Sequence, residues 1–355
     1  MTEIEGPGGN FLWIPRKDVE VPHVEASWGR EERRGRILCR LSNRFRMHYT
    51  VEPGLYAVGR PAPESPVLVT ANYRLSFDLL RRELTGMDAW VLVLDTRGIN
   101  VWCAAGKGTF GTGELIRKVQ EVNLAERVSH RRLILPQLGA PGVRAHAVRE
   151  ATGFSVSFGP VRAADLAEYL RAGGKATADM RAVRFGVLDR LELTPMEVLP
   201  ALRHYPWILL GIALLFGLTP RGILFLPALS DGWPYAALGL AVLLSGGFLT
   251  PLLLPWIPFR AFALKGWFVG VLLTGGFLVW RWESVRESLF LLVLTVLFFP
   301  LISSYTALLF TGSTPFTGIS GVKKEMMYAL PLYVVALGLS AAAAVLYLVR
   351  RWGFL

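Results

Sequence analysis

Apolar and polar positions alternate in two different ways along the chain. Through the first 200 residues the apolar runs are short, at 66–70, 89–95, 132–136 and 154–158. Each reads as a strand, the first two as buried parallel strands. Between them, 76–84, 113–127, 143–151 and 163–172 carry apolar residues at helical spacing. Strands alternating with such helices predict a parallel, Rossmann-like α/β sheet. Ligands of such sheets bind in the loops at the carboxyl ends of the strands. Ahead of this rhythm, 37–59 holds shorter alternations, such as Met47-His48-Tyr49-Thr50-Val51, and predicts a hairpin or sheet edge. Residues 1–35 are rich in Gly, Pro and charge and read as an arm. The α/β domain is placed at 36–175, with 176–204 as a linker.

From residue 205 onward the pattern changes to long apolar stretches. Spans of about 20 residues, enough for a bilayer core, are expected at 205–226, 235–254, 262–280, 289–310 and 327–348. They make an all-α transmembrane domain at 205–355. Trp207, Trp233, Trp256, Trp280 and Trp352 sit near their ends, as an aromatic belt does. Arg221 interrupts the first span. Small residues at Gly246-Gly247, Gly275-Gly276 and 341–344 suit helix packing. No acidic residue lies near the middle of a span, which disfavours a proton- or ion-coupled transporter. Lys323-Lys324-Glu325 reads as a juxtamembrane anchor.

Charge follows the same division. Of 38 Lys and Arg and 27 Asp and Glu, 10 and 4 fall after residue 200. The net charge of +11 suits anionic lipid or an acidic protein partner. No dense basic run is interleaved with aromatics, so nucleic acid is not expected as a partner. For a domain inside the cell, Arg190, Arg203, Arg260, Lys265, Lys323 and Lys324 flank the spans on the inner side. Arg221, Arg281, Arg286, Arg350 and Arg351 flank them on the outer side. This balance does not orient the chain. The polar first 30 residues show no signal-peptide core, so the α/β domain is expected in the cytoplasm.

The two cysteines, Cys39 and Cys103, are too few for a structural zinc or an iron–sulfur cluster. Cys39 reads as a packing or surface residue. Cys103 has a more distinctive context. A strand ends at Asp95, Thr96-Arg97-Gly98 turns the chain, Asn100 is a good N-cap, and 101–106 fits one short helix ended by Gly106. Cys103 then falls in the first turn, where free N–H groups and the helix dipole favour a thiolate, with Lys107 close by. Ala104 and Ala105 are small enough to let a large flat ligand approach. The arrangement suits a thiolate ligand at the carboxyl end of a parallel strand, although a cysteine that merely packs is also possible. Gly106-Lys107-Gly108-Thr109-Phe110-Gly111 matches G-x-G-x-x-G literally. It starts eleven residues after the strand and so does not form a dinucleotide turn. A Walker A loop would need Gly at Val101 and Ser or Thr at Gly108.

Asn100-Val101-Trp102-Cys103-Ala104-Ala105-Gly106-Lys107 resembles throughout the cap-helix motif of the mercury-methylating corrinoid protein family (HgcA). Pro66-Val67-Leu68-Val69-Thr70-Ala71-Asn72-Tyr73, Gly108-Thr109-Phe110-Gly111-Thr112, the stretch 316–325 and the five-span tail are similar to the same family. The α/β domain is also similar to the corrinoid domain of the corrinoid iron–sulfur protein. The resemblance implies cobalamin, a cobalt corrinoid, with its own base displaced and Cys103 as the lower cobalt ligand. The D-x-H-x-x-G motif of histidine-ligated cobalamin enzymes is absent around His23, His48, His130, His146 and His204. Besides 100–107, fold logic assigns contact with the corrin to Thr70, Asn72, Gly108, Thr109, Phe110, Gly111, Thr112, Gln137, Leu138, Gly139, Gly142, Phe158, Gly159 and Pro160.

The expected activity is a methyltransferase moving methyl from methylcobalamin to inorganic Hg(II) and giving methylmercury. A thiolate donates more charge than an imidazole, which favours methyl release to a soft metal ion. Restoring the cobalt then needs low-potential electrons, which implies a ferredoxin-like partner with two [4Fe-4S] clusters. A folate-type methyl donor would remethylate the carrier. Both argue for a multi-pass protein of the cytoplasmic (inner) membrane, in contact with membrane lipid and with its corrinoid domain inside. Two alternatives remain open. One is a corrinoid methyl carrier between a folate and another acceptor. The other is a membrane transporter or anchoring subunit with a ligand-sensing domain.

Overall fold

The short apolar runs become three inner strands and one edge strand of a six-stranded sheet. A computed structural model describes residues 21–355 except 315 and 317. The first twenty residues of the arm, and Thr317 of the 316–325 stretch, lie outside the described residues. The chain divides into two units, Met1–Val183 and Arg184–Leu355.

In the first unit the strands are β1 (His23–Val24), β2 (Gly54–Val58), β3 (Val67–Ala71), β4 (Ala89–Leu94), β5 (Arg132–Leu135) and β6 (Ser155–Phe158). Their order is β1-β2-β4-β3-β5-β6. Strand β3 runs parallel to β4 and β5, and β5 parallel to β6. Strand β2 runs antiparallel to β4, with Gly54 opposite Val93. The sheet is therefore mixed rather than wholly parallel. The reason lies in the entry of the chain. Thr50 bridges to Tyr73 just past the carboxyl end of β3, so β2 starts at that end and runs back along β4. Successive residues of β4 point to opposite faces. Leu92 and Leu94 join one core cluster with Ala104, Phe110 and Leu115. Val91 and Val93 join another with Phe77, Leu166 and Tyr169.

The helices of this unit are α1 (Arg30–Leu41), α2 (Asn43–His48), α3 (Arg74–Arg82), α4 (Val101–Lys107), α5 (Thr112–Glu121), α6 (Leu124–Arg127), α7 (Ala145–Thr152), α8 (Leu166–Arg171) and α9 (Ala178–Arg181). Two expectations need correction. The region 37–48 is helical rather than part of a hairpin. Gly35 and Cys39 bury one face of α1, and Ser42 caps α2 by accepting from the Phe45 N–H. The helix expected at 113–127 is broken at Asn123, whose φ of 47° is left-handed.

The second unit is helical: α10 (Val187–Leu193), α11 (Pro195–Leu202), α12 (Tyr205–Gly217), the hairpin β7 (Leu218–Thr219) and β8 (Gly222–Ile223), α13 (Phe225–Ser230), α14 (Trp233–Leu244), a π-helical turn at Ser245–Leu249, α15 (Thr250–Leu252), α16 (Phe262–Arg286), α17 (Leu289–Phe310) and α18 (Ile319–Arg351). By length and composition, Trp233–Leu252, Phe262–Arg286, Leu289–Phe310 and Ser320–Arg351 could each cross a membrane. Val187–Leu202 and Tyr205–Gly217, bent by 42°, make up to a fifth. The span expected at 205–226 is not one helix. It ends at Gly217, and Pro220 and Arg221 form the tip of the hairpin, with Gly222 at φ 133°.

Close approaches centre on α17. A Cβ on Gly246 would lie 2.3 Å from the Ser303 carbonyl, one on Gly266 2.5 Å from it, and one on Gly270 2.9 Å from Pro300 Cα. Gly275 and Gly276 meet nothing within 4 Å, so their expected packing role is not found. Glu325 does more than anchor. Its carboxylate accepts the Ala263 N–H (2.6 Å) in the first turn of α16, a place where a negative charge is favoured.

Candidate functional site

The site is built around the turn from β4 into α4. Asn72, just past β3, is 6% exposed and organises that turn. Its Oδ1 accepts from Thr96 N (3.0 Å), Thr96 Oγ1 (2.9 Å) and Gly98 N (2.9 Å). Arg97 and Gly98 both take left-handed φ, 58° and 70°, as the reversal requires. A Cβ on Gly98 would meet Thr50 Cγ2 at 2.8 Å, so the segment before β2 braces the turn.

The chain next reaches Asn100, whose Oδ1 accepts from Cys103 N (2.9 Å). This N-cap holds the first turn of α4 and fixes where the Cys103 thiol emerges. Helix α4 runs through Lys107, one residue beyond the expected stop at Gly106. It is closed by Gly108 at φ 80°. Cys103 is exposed and its thiol is free. Ala104 and Ala105 face the other way, into the core.

The floor under α4 is tight. Phe110 is fully buried, a Cβ on Gly139 would press on its ring at 2.5 Å, and one on Gly142 would fall 2.1 Å from the Phe110 carbonyl and 3.1 Å from Ala105 Cα. Beside the helix, at the carboxyl ends of β3, β5 and β6, lies a cavity of about 380 Å³. It is lined by Thr70, Asn100, Val101, Trp102, Leu135, Pro136, Leu138, Gly159, Pro160 and Val161, with Ser76, Leu79 and Leu80 on α3. Trp102 is 38% exposed and stands at once on the cavity and on the outer face of α4.

The expected contact residues thus separate into two groups. Thr70, Asn100, Val101, Trp102, Leu138, Gly159 and Pro160 line the cavity. Cys103, Gly106, Lys107 and Gly108 are exposed on or beside α4. Thr109, half-buried, donates its N–H to the Ala104 carbonyl at the end of the helix. The others have structural tasks. Asn72 holds the turn. Ala104, Ala105, Phe110 and Phe158 pack in or against the core. Gly139 and Gly142 admit Phe110 and α4, and Gly111 passes 2.6 Å from the Gly108 carbonyl, measured from where its Cβ would stand. Thr112 accepts the Arg144 N–H (2.9 Å), and Gln137 accepts from Arg181 (3.0 Å). The sequence reading did not include the α3 face. Its signal was residues 76, 79 and 80 at i, i+3, i+4 spacing, half-buried while Leu75 and Phe77 are fully buried.

Among the described residues no group of three or more His, Cys, Asp or Glu could hold a metal ion, and of the two cysteines Cys103 is the exposed one. Cys39 is buried against Tyr73 and Leu75, and burial pushes its thiol pKa up.

Residues 42–170 match the family described as CdhD: CO dehydrogenase/acetyl-CoA synthase delta subunit. The matched stretch contains β2 to β6 and α4. The chain is 38% identical over 127 residues to the acetyl-CoA decarbonylase/synthase complex subunit gamma of Methanopyrus kandleri, covering 35% of this chain and 27% of that protein. The subunit gamma of Archaeoglobus fulgidus is 35% identical over 113 residues, covering 31% and 24%. The corrinoid/iron-sulfur protein large subunit of Moorella thermoacetica is 31% identical over 124 residues, covering 34% and 27%. The chain spans about a quarter of the length of these relatives.

Proposed function

We propose that the first unit is a corrinoid-binding, methyl-transferring domain held at the cytoplasmic membrane by the second, and that Cys103 is the lower ligand of its cobalt. The observation that carries the reading is the exposed thiol of Cys103. It is fixed by Asn100 at the carboxyl end of an inner strand, beside a cavity, within a segment similar to a corrinoid/iron-sulfur protein.

The residues present fit such a group. A cavity of about 380 Å³ is at the small-molecule end of the range. The residues that would hold the group are those exposed on α4, Cys103 and Lys107 among them, and those lining the cavity beside it. When bound, a corrinoid supplies a cobalt-carried methyl group. The chain supplies the rest. Asn100 and the 96–98 turn position the Cys103 Sγ, and Trp102 forms one wall. The apolar lining from Val101, Leu135 and Leu138 keeps water from that side. A thiolate at Cys103 donates more charge to a metal than a neutral imidazole, which favours methyl release to a soft cation. Inorganic Hg(II), giving methylmercury, is the acceptor this chemistry suits best. With two cysteines the chain has no set for an iron–sulfur cluster, so electrons would come from a ferredoxin-like partner with two [4Fe-4S] clusters. A folate-type donor would renew the methyl group.

A second reading is favoured by the relatives' printed names: a corrinoid methyl carrier serving another acceptor. The test uses the full chain, purified and loaded with methylcobalamin. With Hg(II) and a low-potential reductant, wild type is expected to yield methylmercury. Cys103→Ala should lose the absorption band of a thiolate-ligated corrinoid and most of the product, while Cys39→Ala keeps both. A loaded wild type that shows the thiolate band but makes no methylmercury would leave the carrier reading. If Cys103→Ala keeps the band, Cys103 is not the ligand.

A further inference from the structure

The helical unit contains a second cavity, unrelated to Cys103. It is also about 380 Å³, lies between α12, α14, α17 and α18, and is almost wholly apolar. Ile212, Phe216, Leu291, Phe299 and Ala341 line it. One polar residue in its wall stands out. Tyr235 is 4% exposed, and its hydroxyl has no hydrogen-bond partner. Leaving such a group unpaired costs about 1–3 kcal/mol, and buried polar groups in native folds are nearly always satisfied.

A second orphan lies nearby. The Tyr235 ring meets Phe277 at 5.0 Å, and Arg281 follows Phe277 by one turn of α16. The Arg281 Nε is buried and without a partner. Its guanidinium stands 5.7 Å from the Trp280 ring, which in turn meets Trp233 at 5.8 Å. Trp233 opens α14 and Tyr235 is two residues further in. Paired tryptophans at a helix end mark the level where a bilayer turns from headgroup to hydrocarbon. Along α17 the cavity runs from Leu291 to Phe299, eight residues on, or about 12 Å.

We propose that this cavity holds one acyl chain of an anionic phospholipid, with the ester and phosphate oxygens at the Tyr235 hydroxyl and the Arg281 guanidinium. An apolar slot calls for a chain; the orphaned donors of Tyr235, in its wall, and of Arg281, one turn of α16 beyond the Phe277 that packs on Tyr235, call for acceptor oxygens, and the cation calls for an anion. The inference rests on the reading of the second unit as membrane-embedded.

The test uses the full chain purified from membranes in detergent. Phospholipid retained after washing is quantified by mass spectrometry, and thermal stability is followed on adding phosphatidylglycerol or phosphatidylcholine. Wild type should retain stoichiometric phosphatidylglycerol and be stabilised more by it than by phosphatidylcholine. Ala341→Trp, which fills the cavity from α18, should retain about tenfold less, as should Tyr235→Phe. Arg281→Gln should lose the preference for the anionic lipid. Without lipid, Tyr235→Phe should melt higher than wild type, because it removes an unpaired hydroxyl. With phosphatidylglycerol the order should reverse. Equal lipid retention by wild type and Ala341→Trp, or no reversal, would overturn the proposal while leaving the membrane reading intact. Release of the chain from membranes by alkaline carbonate would overturn both.

Discussion

Replacing Asn72 with Ala separates scaffolding from ligand contact. In the structure the Asn72 side-chain Oδ1 accepts three hydrogen bonds, at 3.0, 2.9 and 2.9 Å, from the two residues that turn β4 toward α4. Thr96 is fully buried, so its N–H finds no water once the acceptor is gone. At about 1 kcal/mol for each lost bond, the change costs about 3 kcal/mol. That is a large share of the 5–15 kcal/mol that holds a typical domain. For a domain of this size it lowers Tm by about 10 °C. The damage should be local as well, because the 96–98 turn sets the start of α4. The full chain is melted with and without cobalamin, and amide hydrogen exchange is read on peptides covering 95–107. Asn72→Ala should show faster exchange there, a lower Tm even without cofactor, and weaker cobalamin retention. Asn72→Asp keeps the acceptor oxygens and should recover much of the protection. It should not recover all of it, because the amide that faces Asp95 at 3.4 Å becomes a second carboxylate. If Asn72→Ala melts and exchanges like wild type yet loses cobalamin, the residue touches the ligand and the scaffolding argument is wrong.

Three further outcomes are expected. Gly142→Ala places a methyl 2.1 Å from the Phe110 carbonyl, so α4 must lift from its floor; a loss of about 1–3 kcal/mol in denaturant unfolding should accompany weaker cobalamin binding, and a neutral result would show that the floor can yield. Burial, and next the Asp78 carboxylate, push the Tyr49 phenol up to about 12 from 10.0. The folded chain therefore keeps a proton that the unfolded chain gives up, and this contribution is fully present below pH 10 and lost as pH rises to 12. A tyrosinate absorbance titration in which Tyr49→Phe removes no late-titrating phenol would refute it. A reporter fused after Leu355 should lie outside the cytoplasm if the bent pair ending at Gly217 crosses once with the other four helices; a cytoplasmic reporter would mean that the pair lies along the surface.

Inner strands could be read from sequence because burial on both faces leaves an unmistakable apolar run, as in Ala89–Leu94. The cap helix was legible for a different reason: Asn100 before a short segment and glycine after it are local signals that need no tertiary context. Local signals could not show that β2 runs against its neighbour, since strand direction depends on where the chain enters the sheet. The helices at 30–48 were hidden by charge and glycine, because their stability comes from packing on Tyr49 and Tyr73 rather than from a wide apolar stripe. Within the site, polar residues such as Asn72 and Thr112 were assigned to a ligand. For Asn72 and Thr112 the backbone takes up that capacity, which spacing alone cannot reveal.

The reversed strand beside β4 makes the two flanks of the site unequal. On one flank, the segment leading into β2 comes close enough for Thr50 to touch the space beside Gly98, closing that approach with chain from the start of the unit. On the other, β3, β5 and β6 end in open loops around the cavity. The open side of the site is thereby the one bounded by β3, β5 and β6. Insertions in the loops after β5 and β6 would reshape the cavity with little strain on the 96–98 turn that aims the Cys103 thiol.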